Sequence, residues 1–209
     1  MKIFDIESVV FHLFGYPFSY IELIGTIFGL ISVVYATRAN ILTWPTGVIN
    51  EIFLFLLFFQ VQLYADMFLQ IYFFVVTLYG WYRWNSKSEV NRITEMNLKA
   101  KCGIGILIIA GTILAGYFIK NLHLNFPKYF VIQAAYPFID SFIMVSSIVA
   151  TVLLAMKKIE NWYLWMTIDF VCTLLYFKKA VFILSLEYLI FFGLAAYGLY
   201  YWKKELKND

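Results

Sequence analysis

Residues 161–177 read NWYLWMTIDFVCTLLYF. The run is long and apolar enough for a membrane helix, yet it carries one carboxylate, Asp169, below Trp162 and Trp165. An acid at the centre of a bilayer costs roughly 2.5–3.5 kcal/mol on insertion scales, so acids in such places mark pathways or sites by default. Trp162, Trp165, Asp169, Thr173 and Tyr176 follow one another at steps of three and four, which places them on one stripe of a helix.

The rest of the chain has the same character. Of its 209 residues 63% are hydrophobic, 21% aromatic and 14% charged, with a mean hydropathy of +0.78. A soluble domain averages about 25% charged residues. The expected class is therefore an all-α integral membrane protein, and apolar runs at 20–37, 44–62, 65–84, 102–119, 135–156, 161–178 and 180–202 predict seven transmembrane helices. Pro17, Pro45 and Pro137 stand at span entrances, where a missing N–H costs least. The residues before Tyr20 lack the pattern of a cleaved signal and read as a short interfacial segment. Two cysteines, Cys102 and Cys172, suggest no disulfide framework, and the net charge of +3 reflects loop lysines rather than a nucleic-acid partner.

Shifting the chain by 118 residues lays 22–84 over 140–202 without a gap, with 12 of 63 positions identical. Trp44 falls on Trp162, Glu51 on Asp169, Tyr79-Gly80 on Tyr197-Gly198 and Trp84 on Trp202. Each copy holds three spans, an odd number, so parallel copies need one extra crossing between them. The uncharged run GIGILIIAGTILAGYFI suits that purpose. The expected architecture is 3+1+3, parallel repeats with a linker helix and a pathway between the halves. In these terms the chain divides into an N-terminal interfacial segment (1–19), a first three-helix repeat (20–84), a polar cytoplasmic linker (85–101), the inversion linker helix (102–119), a second repeat (135–202) and a cytoplasmic tail (203–209).

The repeat gives the Asp169 stripe a counterpart, with Trp44, Glu51, Phe55 and Phe58 on the second helix. Asn50 lies beside it, Gln70, Thr77, Trp81 and Trp84 form a polar and aromatic face on the third helix, and Glu187 and Tyr188 lie about two turns into the seventh. Aromatic walls with a few acids and amides suit a flat, cationic, hydroxylated solute. The candidate binding residues are Asn50, Glu51, Gln70, Trp81, Trp165, Asp169, Thr173, Tyr176, Glu187 and Tyr188, with Ile168, Val171 and Leu175 turned to lipid. Structural roles compete for several. Trp44, Trp84, Trp162 and Trp202 stand near helix ends, where interfacial anchoring is the default. Glu22 and Asp140 stand in first turns and complement the helix dipole. Asn50 and Gln70 serve equally well as interhelical glue.

The segments WPTGVINEIFLFLLFFQVQLYADMFLQIYFFVVTLYGWYRW (44–84) and ENWYLWMTIDFVCTLLYFKKAVFILSLEYLIFF (160–192) resemble the PnuC family of bacterial vitamin transporters, and the likeness runs from about Glu22 to Trp202. That resemblance implies a SWEET-like 3+1+3 membrane fold, facilitated uptake of nicotinamide riboside, trapping by phosphorylation in the cytoplasm, and a homotrimer in the bacterial inner membrane. Asp169 stands where nicotinamide riboside carriers commonly have Asn, and close relatives resemble thiamine carriers, so thiamine is the alternative cationic solute. A seven-helix receptor would share the topology without needing the repeat. A membrane enzyme would need a nucleophile or metal constellation. His12 and His123 are the sole histidines, and no zinc-protease, Walker or nucleophile-elbow motif occurs, so neither an enzyme, a cofactor nor a primary pump is indicated.

Lysine and arginine orient the chain. With the N-terminus outside, the inner segments hold eleven, among them Arg38, Arg83, Lys157, Lys158 and Lys203, and the outer segments five, namely Lys2, Lys120, Lys128, Lys178 and Lys179. A reporter fused after Asp209 is expected in the cytoplasm and one fused before Met1 outside it. Reporters on the same side of the membrane would remove the odd-helix topology.

Overall fold

The computed structural model describes residues 4–13, 15–62, 64–86, 92–126, 128, 133–179 and 181–208. Among them a short hairpin, β1 (Val9–Leu13) and β2 (Tyr16–Ser19), precedes seven helices: α1 (Tyr20–Thr37), α2 (Thr43–Gln60), α3 (Tyr64–Asn85), α4 (Leu98–Asn125), α5 (Pro137–Ala155), α6 (Glu160–Lys178) and α7 (Phe182–Asn208). Four are long and apolar enough to cross a membrane: α1, α4, α5 and α7 over Leu184–Asn208. The chain is thus a seven-helix, multi-pass membrane protein. Its α4 begins four residues before the expected span, and α7 continues through the expected tail.

Contacts divide the chain into two compact units, one of Met1–Ile93, Leu154–Lys157 and Tyr197–Asp209, the other of Thr94–Leu153 and Lys158–Ala196.

In the first unit the N-terminal segment, read from sequence as interfacial, forms the antiparallel hairpin, turning at Gly15 with φ +85°. It leads straight into α1 through a capping box. Ser19 Oγ accepts from the Glu22 N–H at 3.3 Å, and the Ser19 N–H donates to Glu22 Oε2 at 2.8 Å. Tyr16 donates its hydroxyl to Glu22 Oε1 at 2.6 Å, and this bond to a carboxylate pushes the phenol pKa up to about 12. Glu22 is therefore a structural acid. Gln60, at the end of α2, accepts from the Ile6 N–H at 3.0 Å and donates to the Phe4 carbonyl at 2.7 Å, pinning the start of the chain.

Helices α1 and α2 are joined by reciprocal bonds, from Ser32 Oγ to the Thr43 carbonyl at 2.8 Å and from Thr43 Oγ1 to the Ser32 carbonyl at 2.9 Å. Gly80 lets α3 approach the Trp44 indole so closely that a β-carbon there would run into the ring. Trp44 meets Trp84 edge-on at 5.0 Å, and Trp84 lies 6.3 Å from Trp202. The Trp84 indole N–H donates to the Ala155 carbonyl, and that of Trp202 to the Ala36 carbonyl, each at 3.1 Å. The last turn of α3 is thereby tied to the end of α5, and α7, at Trp202, to the last turn of α1. Lys157 places its ammonium 4.5 Å over the Trp84 ring, and burial pulls its pKa below the usual lysine range. None of Trp44, Trp84, Trp162 and Trp202 exceeds 5% exposure, which corrects their reading as interfacial anchors. These rings are core: Trp84 and Trp202 give their N–H groups to protein carbonyls, and Trp44 packs its ring edge-on against Trp84.

The turns after α1 and α5 share one backbone design. Ala39 and Lys157, 118 positions apart, both take positive φ, at +50° and +51°. In the first turn the N–H groups of Ala39 and Asn40 bond the carbonyls of Ala36 and Tyr35. In the second, those of Lys157 and Lys158 bond the carbonyls of Leu154 and Leu153. The two sets of four positions correspond one to one.

In the second unit the linker expected to be solvated is ordered over its last residues. Thr94 bridges Lys158 through the Ile159 N–H and the Lys158 ammonium, the Met96 N–H donates to Glu160 Oε1 at 2.9 Å, and Lys101 pairs with both Glu95 and Glu160. Charged residues in this stretch find partners on the start of α6, which composition alone does not reveal. Asn97 then caps α4. Gly116 admits the Phe138 ring between α4 and α5.

Trp202→Phe, which keeps a ring but removes the bond to Ala36, is expected to cost about 1–3 kcal/mol of stability through the lost bond and the space left behind. The unfolding temperature of the purified protein in detergent reads this, with Tyr200→Phe, an exposed ring, as the unchanged control. Equal unfolding temperatures for both variants would dismiss the indole bond as a structural tie.

Candidate functional site

The helices outside the strongly apolar set, α2, α3 and α6, are the ones that carry Glu51, Gln70 and Asp169. Each carries polar residues that are buried in the protein: Glu51 on α2, Gln70 and Thr77 on α3, and Asn161 and Asp169 on α6.

In the first unit Glu51 is 7% exposed and Gln70 8%. Both border a cavity of about 220 Å³ whose other walls are Ile52, Phe55, Leu56, Ile71 and Phe74. Thr77 donates its hydroxyl to Glu51 Oε1 at 2.5 Å, while Glu51 Oε2 is buried and has no hydrogen-bond partner among the described residues. Asn50 donates to the Gly25 carbonyl at 2.8 Å, where only a glycine at position 29 leaves room for its amide. It thus joins α2 to α1. Trp81, on α3, is 38% exposed and does not line this cavity.

In the second unit Asp169 is 4% exposed. Cys172, Ile168 and Ala150 form a buried cluster, against which Ile143, Leu164, Trp165, Tyr176 and Tyr188 pack. Tyr176 and Tyr188 stack with centroids 5.4 Å apart and planes 4° from parallel, a flat aromatic wall joining α6 to α7. Thr173 donates its hydroxyl back to the Asp169 carbonyl at 2.7 Å, and Ser185 donates to the Thr173 carbonyl at 2.9 Å. Thr173 therefore serves the helix-to-helix joint, and Glu187 is half-buried one residue from Tyr188.

The lipid-facing row of α6 differs from the expected one. Ile168 and Leu175 are buried, at 2% and 7% exposure, and the exposed side chains are Tyr163, Thr167, Phe170, Leu174, Phe177 and Lys178. Helix α6 has two adjacent inward rows, the aromatic-and-acid stripe and the Ile168–Cys172–Leu175 row, so the outward face is narrower than a two-sided helix predicts. A second cavity, about 230 Å³ and lined by Tyr136, Ile139, Val171, Leu174, Leu175 and Lys178, contains none of the candidate binding residues. Sequence reading also passed over the bond between Thr77 and Glu51. The seven-residue step from Gln70 to Thr77 puts both on one side of α3, which was the available signal.

Among the described residues no group of His, Cys, Asp and Glu has a metal-holding arrangement. The chemistry on offer is recognition: two sheltered carboxylates, amides and flat aromatic surfaces.

A family profile described as nicotinamide mononucleotide transporter matches residues 19–204. The nicotinamide riboside transporter PnuC of Escherichia coli K12 is 30% identical over 97% of this chain and 94% of its own length. The chain belongs to the PnuC family. The riboflavin/roseoflavin transporter RibM of Streptomyces davaonensis is 26% identical over 98% of the chain and 94% of its own length. In three dimensions the chain resembles the crystal structure of the vitamin B3 transporter PnuC, with a TM-score of 0.69 and 21% identity over 90% of this chain and 83% of that one. The relatives that this chain resembles are thus named for different vitamins.

Cys172 is 1% exposed beside Asp169, whereas Cys102 is exposed near the start of α4. A water-soluble maleimide is expected to label one thiol, Cys102, in the folded protein and both after denaturation, read by intact-protein mass. Rapid double labelling of the folded protein would show that the α6 core is open.

Proposed function

We propose that this chain carries nicotinamide riboside across the bacterial inner membrane by facilitated diffusion, with phosphorylation in the cytoplasm trapping the product. The observation that carries this reading is the end-to-end match to the Escherichia coli nicotinamide riboside transporter. The chemistry agrees with it. Nicotinamide riboside has a flat cationic ring and a hydroxylated sugar; aromatic faces such as Tyr176 and Tyr188 suit the ring at roughly 0.5–2 kcal/mol each, and Glu51, Gln70, Asp169 and Glu187 suit the charge and the hydroxyls. Asn50, Trp81, Trp165 and Thr173 complete the set of solute-binding residues.

The 3+1+3 arrangement belongs to the same proposal. It is supported by the 118-residue repeat and by the matched backbone of the turns at Ala39 and Lys157. The domain boundaries given above, the orientation with the N-terminus outside, the lipid setting and a homotrimeric assembly complete the reading. Thiamine is the competing solute, favoured by Asp169 as an added negative charge but by none of the relatives described.

The test is calorimetric titration of the purified protein with nicotinamide riboside, thiamine and riboflavin. Nicotinamide riboside is expected to bind most tightly; tighter binding of either other vitamin would replace it as substrate. Asp169→Asn removes the charge while keeping the shape and is expected to weaken binding of the cation by about 1–3 kcal/mol. Unchanged affinity would make Asp169 a structural residue.

A further inference from the structure

We infer that Thr77 is a positioning residue for solute recognition, holding the Glu51 carboxylate so that one oxygen is kept for the solute. This rests on the proposed reading of Glu51 as a binding residue.

A threonine inside a helix has a ready partner in the carbonyl one turn back. Thr46, Thr151, Thr167 and Thr173 all take it, at 2.7–2.8 Å. Thr77 does not. Its single hydroxyl proton goes across to α2, to Glu51 Oε1 at 2.5 Å, with both residues buried. The methyl group of Thr77 packs against α2 at Gly47, where a β-carbon would stand 3.5 Å from it. Methyl and hydroxyl are thus both engaged with α2, which fixes the rotamer and with it the plane of the carboxylate.

The second oxygen, Glu51 Oε2, is buried without a hydrogen-bond partner among the described residues. A buried polar atom in this condition is destabilising until a donor arrives. A hydroxyl-bearing or cationic solute brings such a donor, and Gln70, on the same side of α3 as Thr77, borders the same cavity as Glu51. The repeat sharpens the assignment. Asp169 corresponds to Glu51, but Ala195 corresponds to Thr77 and has no hydroxyl to give. The hydroxyl tie that holds Glu51 therefore has no counterpart at position 195.

The test is a titration series on the purified full-length wild type, Thr77→Ser, Thr77→Val, Glu51→Gln and the double variant, with nicotinamide riboside, thiamine and riboflavin as probes and unfolding temperature as the check on folding. On whichever probe the wild type binds, Thr77→Val is expected to weaken binding by roughly tenfold to a hundredfold. Thr77→Ser should stay within about threefold of wild type, and Thr77→Val should add nothing in the Glu51→Gln background. If Thr77→Val fails to fold, Thr77→Ala replaces it. Wild-type affinity in the variant lacking the hydroxyl, no rescue by serine, or losses that multiply in the double variant would overturn the inference. Binding of thiamine or riboflavin but not nicotinamide riboside overturns the proposed substrate while the series still judges Thr77. Binding of none of the three overturns both.

Discussion

Glu51 and Asp169 are placed in helices that run between apolar neighbours, and each would cost roughly 2.5–3.5 kcal/mol at a bilayer centre if left to lipid. Much of the structure can be read as an answer to that cost. Each acid is nearly withdrawn from the surface, and each is surrounded by residues that limit what it meets. Glu51 has the Thr77 hydroxyl on one oxygen. Asp169 sits beside the Ile168, Cys172 and Ala150 cluster and the Tyr176–Tyr188 stack. The helices bearing them are also less apolar than α1, α4, α5 and the long part of α7. The division of labour follows from solvent: helices with only hydrocarbon to face can be uniformly apolar, whereas those that carry polar side chains must turn them toward protein.

A second constraint acts at the helix ends. The indoles of Trp84 and Trp202 each give their one N–H to a carbonyl at the end of a helix distant in sequence, α5 and α1 respectively. Those carbonyls belong to the last turns of their helices, where intrahelical partners run out. Trp84 gives the Ala155 carbonyl a donor, Trp202 adds a second donor to the Ala36 carbonyl, which already accepts from the Ala39 N–H, and both buried indole donors are thereby paired. The adjoining turns use left-handed residues at Ala39 and Lys157, neither of them glycine, and such conformations persist where surrounding bonds over-determine them. Repetition of that design 118 residues apart ties the sequence repeat to backbone geometry.

Helix positions were legible because membrane spans leave long apolar runs: five of the seven expected spans match the observed helices to within two residues at each end, while α4 and α7 run six residues beyond theirs. The inward stripe on α6 was legible from its spacing. Other features were hidden for physical reasons. Tryptophans at helix ends look like interfacial anchors until their N–H partners, 71 and 166 residues away in sequence, are known. Ile168 and Leu175 look like lipid-facing residues because a buried membrane core and a lipid surface use the same side chains. The order in residues 94–97 depends on Lys158 and Glu160, more than 60 residues distant. The role of Thr77 depends on which of two acceptors its hydroxyl chooses, a choice made by the approach of α2 and not by composition.

The central claim is that these sheltered acids and aromatic surfaces serve passive passage of nicotinamide riboside. The direct measurement is uptake of radiolabelled nicotinamide riboside by liposomes containing the purified protein, with and without imposed proton and sodium gradients. The account predicts entry faster than in protein-free liposomes, an end point at equal concentrations inside and out, and no dependence on either gradient. Entry no faster than in protein-free liposomes, or accumulation above the outside concentration when a gradient is imposed, would contradict it.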